Sequence, residues 1–448
     1  MISREIDAKI EQFYNDSNKA LLVTGARQTG KTFSIRQYGN SHYESFIEIN
    51  FIENHEAVNV FSKYSNAADI LLRISAITNI PLIKGKTLIF FDEVQECPDI
   101  VTAIKFLVDE GSYRYILSGS LLGVELKDIR SVPVGYMGII NMYPLNFREF
   151  VSAVGISDNV IDNLHEHWLN GTEADAFVHK KMMELFHLYL IVGGMPAVVQ
   201  KYIDSNNLQI VMTEQRDIIS LYKKDITKYD SDRKLYIEEI FDLIPSELNA
   251  KNKRFILKDL NENVKFSQYK NSFLWLKDAG TALTVYNVEE PKAPLMLSSS
   301  RSLFKLFLSD IGLLACQYAN GLQLKILSGD ENINFGAIYE NAVAQELYSN
   351  GFELYYFNSK KQGEVDFVIE NGGNVIPIEV KSGKDYERHH ALSNIMRTNT
   401  YNIEKAYVLC NDNVKTVGKI IYMPIYMIMF FNKSVDAPTF YKVELNGL

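Results

Sequence analysis

An α/β protein carrying two separate sheets, with helices between them, is expected for three reasons. Between Ala20 and Phe150, four short apolar segments (ALLVTG, SFIEINF, TLIFFDE and YRYILSGS) end in small or polar residues and alternate with helical stretches. That is the mark of a parallel βαβ sheet with ligands at its strand C-termini. The first segment runs straight into GARQTGKT, residues 25–32, and then into a helix. From Gly336 a second α/β run begins: a helix (GAIYENAVAQELYSNG), the strands ELYYFNS, EVDFVIE and VIPIEVKS, a polar helix from about Asp385, and AYVLCND.

Length and composition fit this layout. The 448 residues allow for about two to four domains at roughly 100–200 residues each. The chain is 47% apolar and 23% charged, ordinary for a globular protein with a sizeable core. Its net charge of −9 excludes a whole-protein basic field, so any nucleic-acid contact must be local. Cys97, Cys316 and Cys410 lie far apart, which argues against disulfides and zinc and for buried thiols. The opening MISREIDAKI is charged and amphipathic, unlike a secretory leader. The longest apolar run, Ile420 to Phe431, contains Pro424 and falls short of the about 20 residues a membrane span needs. It reads as a buried strand or two. A cytoplasmic protein with no membrane partner is expected.

Four segments follow. Residues 1–150 form the first sheet domain. Residues 151–230 are helical, broken at Gly193-Gly194-Met195-Pro196. Residues 231–315 combine short helices with LTVYNVEE and PLMLSSS, which fits a helix-turn-helix or winged-helix-like module. Residues 316–448 form the second α/β domain.

GARQTGKT fits GxxxxGK[ST] in the context its mechanism requires, a strand before and a helix after. Gly25 and Gly30 permit the tight path. The amides of Gly25, Ala26, Arg27, Gln28, Thr29 and Gly30, with Lys31, Thr32 and Phe33 at the helix start, then face a triphosphate. Lys31 reaches the β/γ-phosphates, and the Thr32 hydroxyl ligates Mg²⁺. TLIFFDE adds the second half of the site: Asp92 holds Mg²⁺ and Glu93 orients the attacking water. YILSGS is expected between these two motif strands, where Ser118 or Ser120 would touch the γ-phosphate or the water. ATP and Mg²⁺ are the expected cofactors.

In that order, GARQTGKT, FFDEVQE, SGS and PLNFREF resemble the prokaryotic AAA-type P-loop ATPases, with an AAA domain followed by a C-terminal domain bearing restriction-endonuclease-like motifs. LYLIVGGMPAVV (188–199), FKLFLSDIGLL (304–314), YENAVAQEL (339–347) and EVDFVIE…IPIEVKSG extend the resemblance over nearly the whole chain. One departure stands out. Many relatives carry Gly-Arg before PLNFREF, whereas this chain has Gly135-Tyr136. The arginine finger that the resemblance implies must then come from Arg130, Arg148, a second subunit or a partner.

EVDFVIE-NGGN-VIPIEVKS reads as a β-hairpin turning at Asn371-Gly372-Gly373-Asn374. Glu379 and Lys381 share a face, as do Glu364 and Asp366, and pairing brings Asp366 to Glu379. Two carboxylates and a lysine on adjacent strands are the parts of a metal-dependent phosphodiesterase. Asp366 and Glu379, with the Val380 carbonyl, would hold Mg²⁺, and Lys381 would position the water. The pattern resembles the restriction-endonuclease-like fold, which often adds a helical Glu that Glu340 matches. Glu346, nearer the apolar stripe of the same helix, is the alternative buried partner. Arg388, His389, His390 and Arg397 are candidate phosphate contacts against a solvated helix face. Tyr355, Tyr356 and Phe357 read as core.

The expected function is an Mg²⁺-dependent ATPase whose nucleotide state controls a nuclease-like C-terminal domain, with DNA the candidate partner. The rival is a nucleotide switch for a protein partner, its C-terminal domain a non-catalytic binding module. A helicase or translocase is weaker, since no further motif supports it.

Overall fold

The computed structural model describes residues 2–61, 64, 66–119, 135–229, 234–250, 255, 266–318, 321–330 and 335–434. Ser120 and Arg130 lie outside them.

Strands β1 (Ala20–Thr24), β2 (Ser45–Asn50), β3 (Thr87–Asp92), β4 (Arg114–Ser118) and β5 (Met137–Asn141) form one parallel sheet in the order β2-β3-β4-β1-β5. β4 therefore separates the two motif strands, as YILSGS was expected to do. Burial explains the sequence of each strand. Central β3 is buried at every position, hence the unbroken TLIFFD, whereas edge strand β2 alternates buried and half-buried residues. Separate apolar clusters cover the two faces of the sheet.

Helices follow from Phe147–Ala153 through Asp158–Asn170, Ala176–Val192, Pro196–Ser205 and Leu208–Tyr229 to Lys234–Asn249 and Phe266–Asp278. Gly193 takes φ +73, and Pro196 opens the next helix at its first turn, so the Gly-Gly-Met-Pro break bends the pair by 119°. No single described helix is long and apolar enough to cross a membrane.

The second sheet contains β6 (Ala282–Val288), β7 (Ser299–Leu308), β8 (Tyr355–Ser359), β9 (Gly363–Asn371), β10 (Asn374–Val380), β11 (Ala406–Cys410), β12 (Lys415–Val417) and β13 (Ile420–Pro424). Its order is β12-β13-β11-β10-β9-β8-β6-β7. The expected boundary at 315/316 cuts through this sheet. Of the pair LTVYNVEE and PLMLSSS, read as part of a winged-helix-like module, the second is mostly the 3₁₀ turn Leu295–Ser298, and the strand that pairs with β6 is β7; the β6–β7 hairpin in turn pairs in parallel with β8 through Tyr286 and Tyr355. One apolar core also runs from Leu145 through Phe186, Tyr222, Trp275, Phe307 and Tyr339 to Phe431. The helical middle and the second sheet thus share a core.

Two smaller differences have local causes. The run Ile420–Phe431 is one strand followed by a buried 3₁₀ turn, because Pro424 ends the ladder. The helix expected from Asp385 begins only at His390. The hairpin turn is as expected: Asn371 pairs with Asn374, and Gly372 and Gly373 both take positive φ.

Candidate functional sites

The loop between β1 and the helix Lys31–His42 is shaped by its glycines. Gly25 has φ +141, and a Cβ there would collide with the backbone oxygen of Met142. Gly30 has φ +89 and caps the helix. Gln28 is held at φ +66, a region costly for a side-chain-bearing residue. Lys31 is buried inside the loop, where its Nζ donates to the carbonyls of Gly25 (3.0 Å) and Ala26 (2.8 Å). Burial pushes its ammonium down to about 8, against the pull of Glu93 and Asp92. Thr29 Oγ1 braces the loop through Ala26 O. Arg4, which the sequence reading did not single out, donates to Thr29 O at 3.0 Å and pairs with Glu149 at 2.9 Å. The Phe33 side chain is exposed.

Across the sheet, Asp92 gathers four donors. Thr32 Oγ1 (2.9 Å) and Asn50 Nδ2 (3.2 Å) reach Oδ2, while Ser118 Oγ and the Glu93 amide reach Oδ1. Burial raises the Asp92 carboxyl, and the hydroxyls of Ser118 and Thr32 oppose that rise. Asn50 enters because β2 ends in register with Asp92. Glu93 sits in the left-handed region at φ +56, and Gln95 Nε2 holds its Oε2 at 2.6 Å. Asn50 belongs to no recognisable motif, its only signal a polar residue at a strand end, whereas Gln95 lies within FFDEVQE but was given no role there. Of the arginine-finger candidates, Arg148 is exposed.

The second constellation also assembles, around a group that was not expected. Asp366 Oδ2 accepts the Val380 amide at 2.9 Å, and Lys381 Nζ donates to Glu379 Oε1 at 2.7 Å. Between Glu364 (2.8 Å) and Glu340 (3.4 Å) lies the ammonium of Lys305, from β7, with no solvent exposure and over the ring of Tyr356. Burial alone would lower it; Glu340, Glu364 and Asp366 outweigh burial and raise it well above its ordinary value. Lys305 was hidden in the apolar run FKLFLSD. The Glu379 carboxyl is raised by burial and by Asp366, with Lys381 opposing, and its Oε2 is buried without a partner. Among the described residues, no three His, Cys, Asp or Glu side chains are arranged to hold a metal ion. Of the three carboxylates expected to gather there, Asp366, Glu379 and Glu340, the last faces Lys305.

Glu346 is fully buried elsewhere. Its Oε1 accepts from the Phe147 amide (2.8 Å) and Tyr189 Oη (3.1 Å). His389 is buried against Tyr422 Oη (2.7 Å) and Ser393 Oγ (3.2 Å), whereas Arg388, His390 and Arg397 are exposed. Tyr355, Tyr356 and Phe357 are core.

Residues 17–151 match the family model of an AAA domain, residues 183–324 that of a domain of unknown function (DUF8612), and residues 335–428 that of another (DUF4143). Together with the parallel sheet and its loop, the first match supports an AAA-type P-loop domain at the N-terminal end. An uncharacterized protein of Methanocaldococcus jannaschii is 25% identical over 379 residues, 82% of this chain and 75% of that protein. Among solved structures, a Walker-type ATPase of Pyrococcus abyssi is 13% identical, covers 71% of this chain and 96% of its own, and has a TM-score of 0.43. The Holliday junction branch migration motor RuvB of Thermotoga maritima is 13% identical, with coverages of 63% and 89% and a TM-score of 0.28.

Proposed function

We propose that the chain is an Mg²⁺-dependent ATPase whose nucleotide state governs the module built on the second sheet. The observation that carries this reading is the 2.9 Å approach of Thr32 Oγ1 to Asp92, beside the buried Lys31. A hydroxyl and a carboxylate so placed suit Mg²⁺, which takes oxygen ligands and neutralises phosphate charge when bound. Lys31 holds the β/γ-phosphates. Ser118 and Asn50 fix the Asp92 carboxylate. Glu93, steadied by Gln95, orients and polarises the water. Phosphate release from ATP tests the reading. Glu93→Gln is expected to lower turnover by about 10²–10⁴-fold while nucleotide still binds. A wild-type rate in that variant would remove Glu93 from the chemistry.

The module on the second sheet is proposed to be a binding device for DNA or a protein partner. Lys305 supports this, because it supplies from within the chain the cation that Glu340 and Glu364 face. A second reading, an Mg²⁺-dependent nuclease on a restriction-endonuclease-like fold, is favoured by the unpartnered Glu379 Oε2 beside Asp366. There Asp366 and Glu379 would hold the ion, and Lys381 the hydrolytic water. DNA incubated with Mg²⁺ or Mn²⁺ separates the two. Cleavage by wild type but not by Asp366→Ala establishes the nuclease, and no cleavage leaves the binding module.

A further inference from the structure

The phosphate loop is gripped from outside its own domain. Tyr222 and Asp225 lie one turn apart on the helix Leu208–Tyr229, and both end on Arg27, nearly two hundred residues earlier. Tyr222 Oη donates to Arg27 O at 3.0 Å, and Arg27 Nη1 donates to Asp225 Oδ1 at 2.6 Å. Tyr222 is buried, as is the Asp225 carboxylate. From a second direction, Gly280, at the turn before β6, comes so close that a Cβ there would lie 3.0 Å from the Ala26 nitrogen.

We infer that Tyr222 and Asp225 are positioning residues that hold the phosphate loop in its anion-binding conformation. In a trans peptide the carbonyl and the following N–H point in opposite directions. A hydroxyl that draws the Arg27 carbonyl outward therefore turns the Gln28 amide inward, toward the concave side where a phosphate would lie. Gln28 itself sits at φ +66, and strain of this kind persists only where surrounding contacts over-determine it. Tyr222 supplies one such contact and the Arg27–Asp225 pair a second. Linkage makes the effect mutual: a nucleotide that prefers the gripped loop must stabilise the grip on helix Leu208–Tyr229 to the same extent. This inference rests on the reading of residues 25–32 as a nucleotide site.

Calorimetric titration of the full chain with Mg²⁺-ATP tests it. Tyr222→Phe removes one hydroxyl and keeps the buried ring, so the fold survives and the variant carries the test even where Asp225→Asn is too unstable to purify. One hydrogen bond corresponds to about 2- to 12-fold, so Tyr222→Phe should weaken nucleotide binding by roughly that factor. Asp225→Asn should weaken it as well, and Asp225→Glu should restore it. Trp275, on the helix leading to Gly280, should change its fluorescence on nucleotide addition in wild type and change less in Tyr222→Phe. Wild-type affinity in Tyr222→Phe, with binding still abolished by Lys31→Ala, would overturn the positioning role alone. No binding by wild type would instead remove the nucleotide reading on which it rests.

Discussion

Two residues, the buried Glu346 and the loop's Gly25, carry the most direct tests. Glu346 lies among the Phe147 amide, Tyr189 Oη, Glu5 and Glu149, and burial raises its carboxyl to about 8. A raised folded value means that the neutral form is favoured in the fold. Its stabilisation is therefore complete below about 4.5 and is lost as pH rises through about 8. The stability of wild type, read from thermal melts, should fall between about pH 5 and 8, at up to about 1.4 kcal/mol per pH unit, and level off above that window. Glu346→Gln, which keeps an acceptor oxygen, should flatten that fall; parallel curves for the two proteins would contradict the assignment. Gly25→Ala should abolish nucleotide binding, because its methyl would strike the Met142 carbonyl and its φ of +141 disfavours a side chain. Nucleotide affinity equal to wild type would show that the loop tolerates another path.

At the scale of elements, legibility followed locality. β3 announced itself as TLIFFD because both of its faces are buried, and the β9–β10 turn did so because Gly372 and Gly373 supply positive φ. The β6–β7 hairpin did not, because its neighbour β8 lies about seventy residues on (Tyr286 pairs with Tyr355), past the helices Ile311–Cys316, Leu322–Leu327 and Gly336–Ser349, and strand pairing at that distance leaves no local pattern. Lys305 was unreadable for the same reason. One charge in an apolar strand gives no hint that Glu340 and Glu364 converge on it. That convergence predicts a large effect on the sheet. Lys305→Met takes the ammonium away from the buried Glu340 and the half-buried Glu364 and should cost about 3–5 kcal/mol in urea unfolding. Adding Glu340→Gln should recover part of the loss, and a neutral Lys305→Met would show that the ammonium is not needed there.

At the scale of the molecule, the motifs that looked scattered along the chain meet in one buried region. Leu145 and Phe147 of PLNFREF, Tyr189 and Gly194 of the helix break, Asp310 before Ile311, and Gln345 and Glu346 of the helix Gly336–Ser349 are joined by hydrogen bonds. Asp310 accepts the Gly194 amide at 2.6 Å, Ile311 donates its amide to Gln345 at 2.8 Å, and Gln345 Nε2 donates to Tyr189 Oη at 2.9 Å. The nucleotide loop meets this region through Tyr222, whose ring lies in the core that reaches the second sheet. Everything functional depends on that loop accepting a triphosphate. The decisive measurement is the heat of Mg²⁺-ATP binding to the full chain and to Lys31→Ala. Saturable binding near one nucleotide per chain, lost in Lys31→Ala, is predicted; no heat with the wild type, or equal heats from the two proteins, would contradict it.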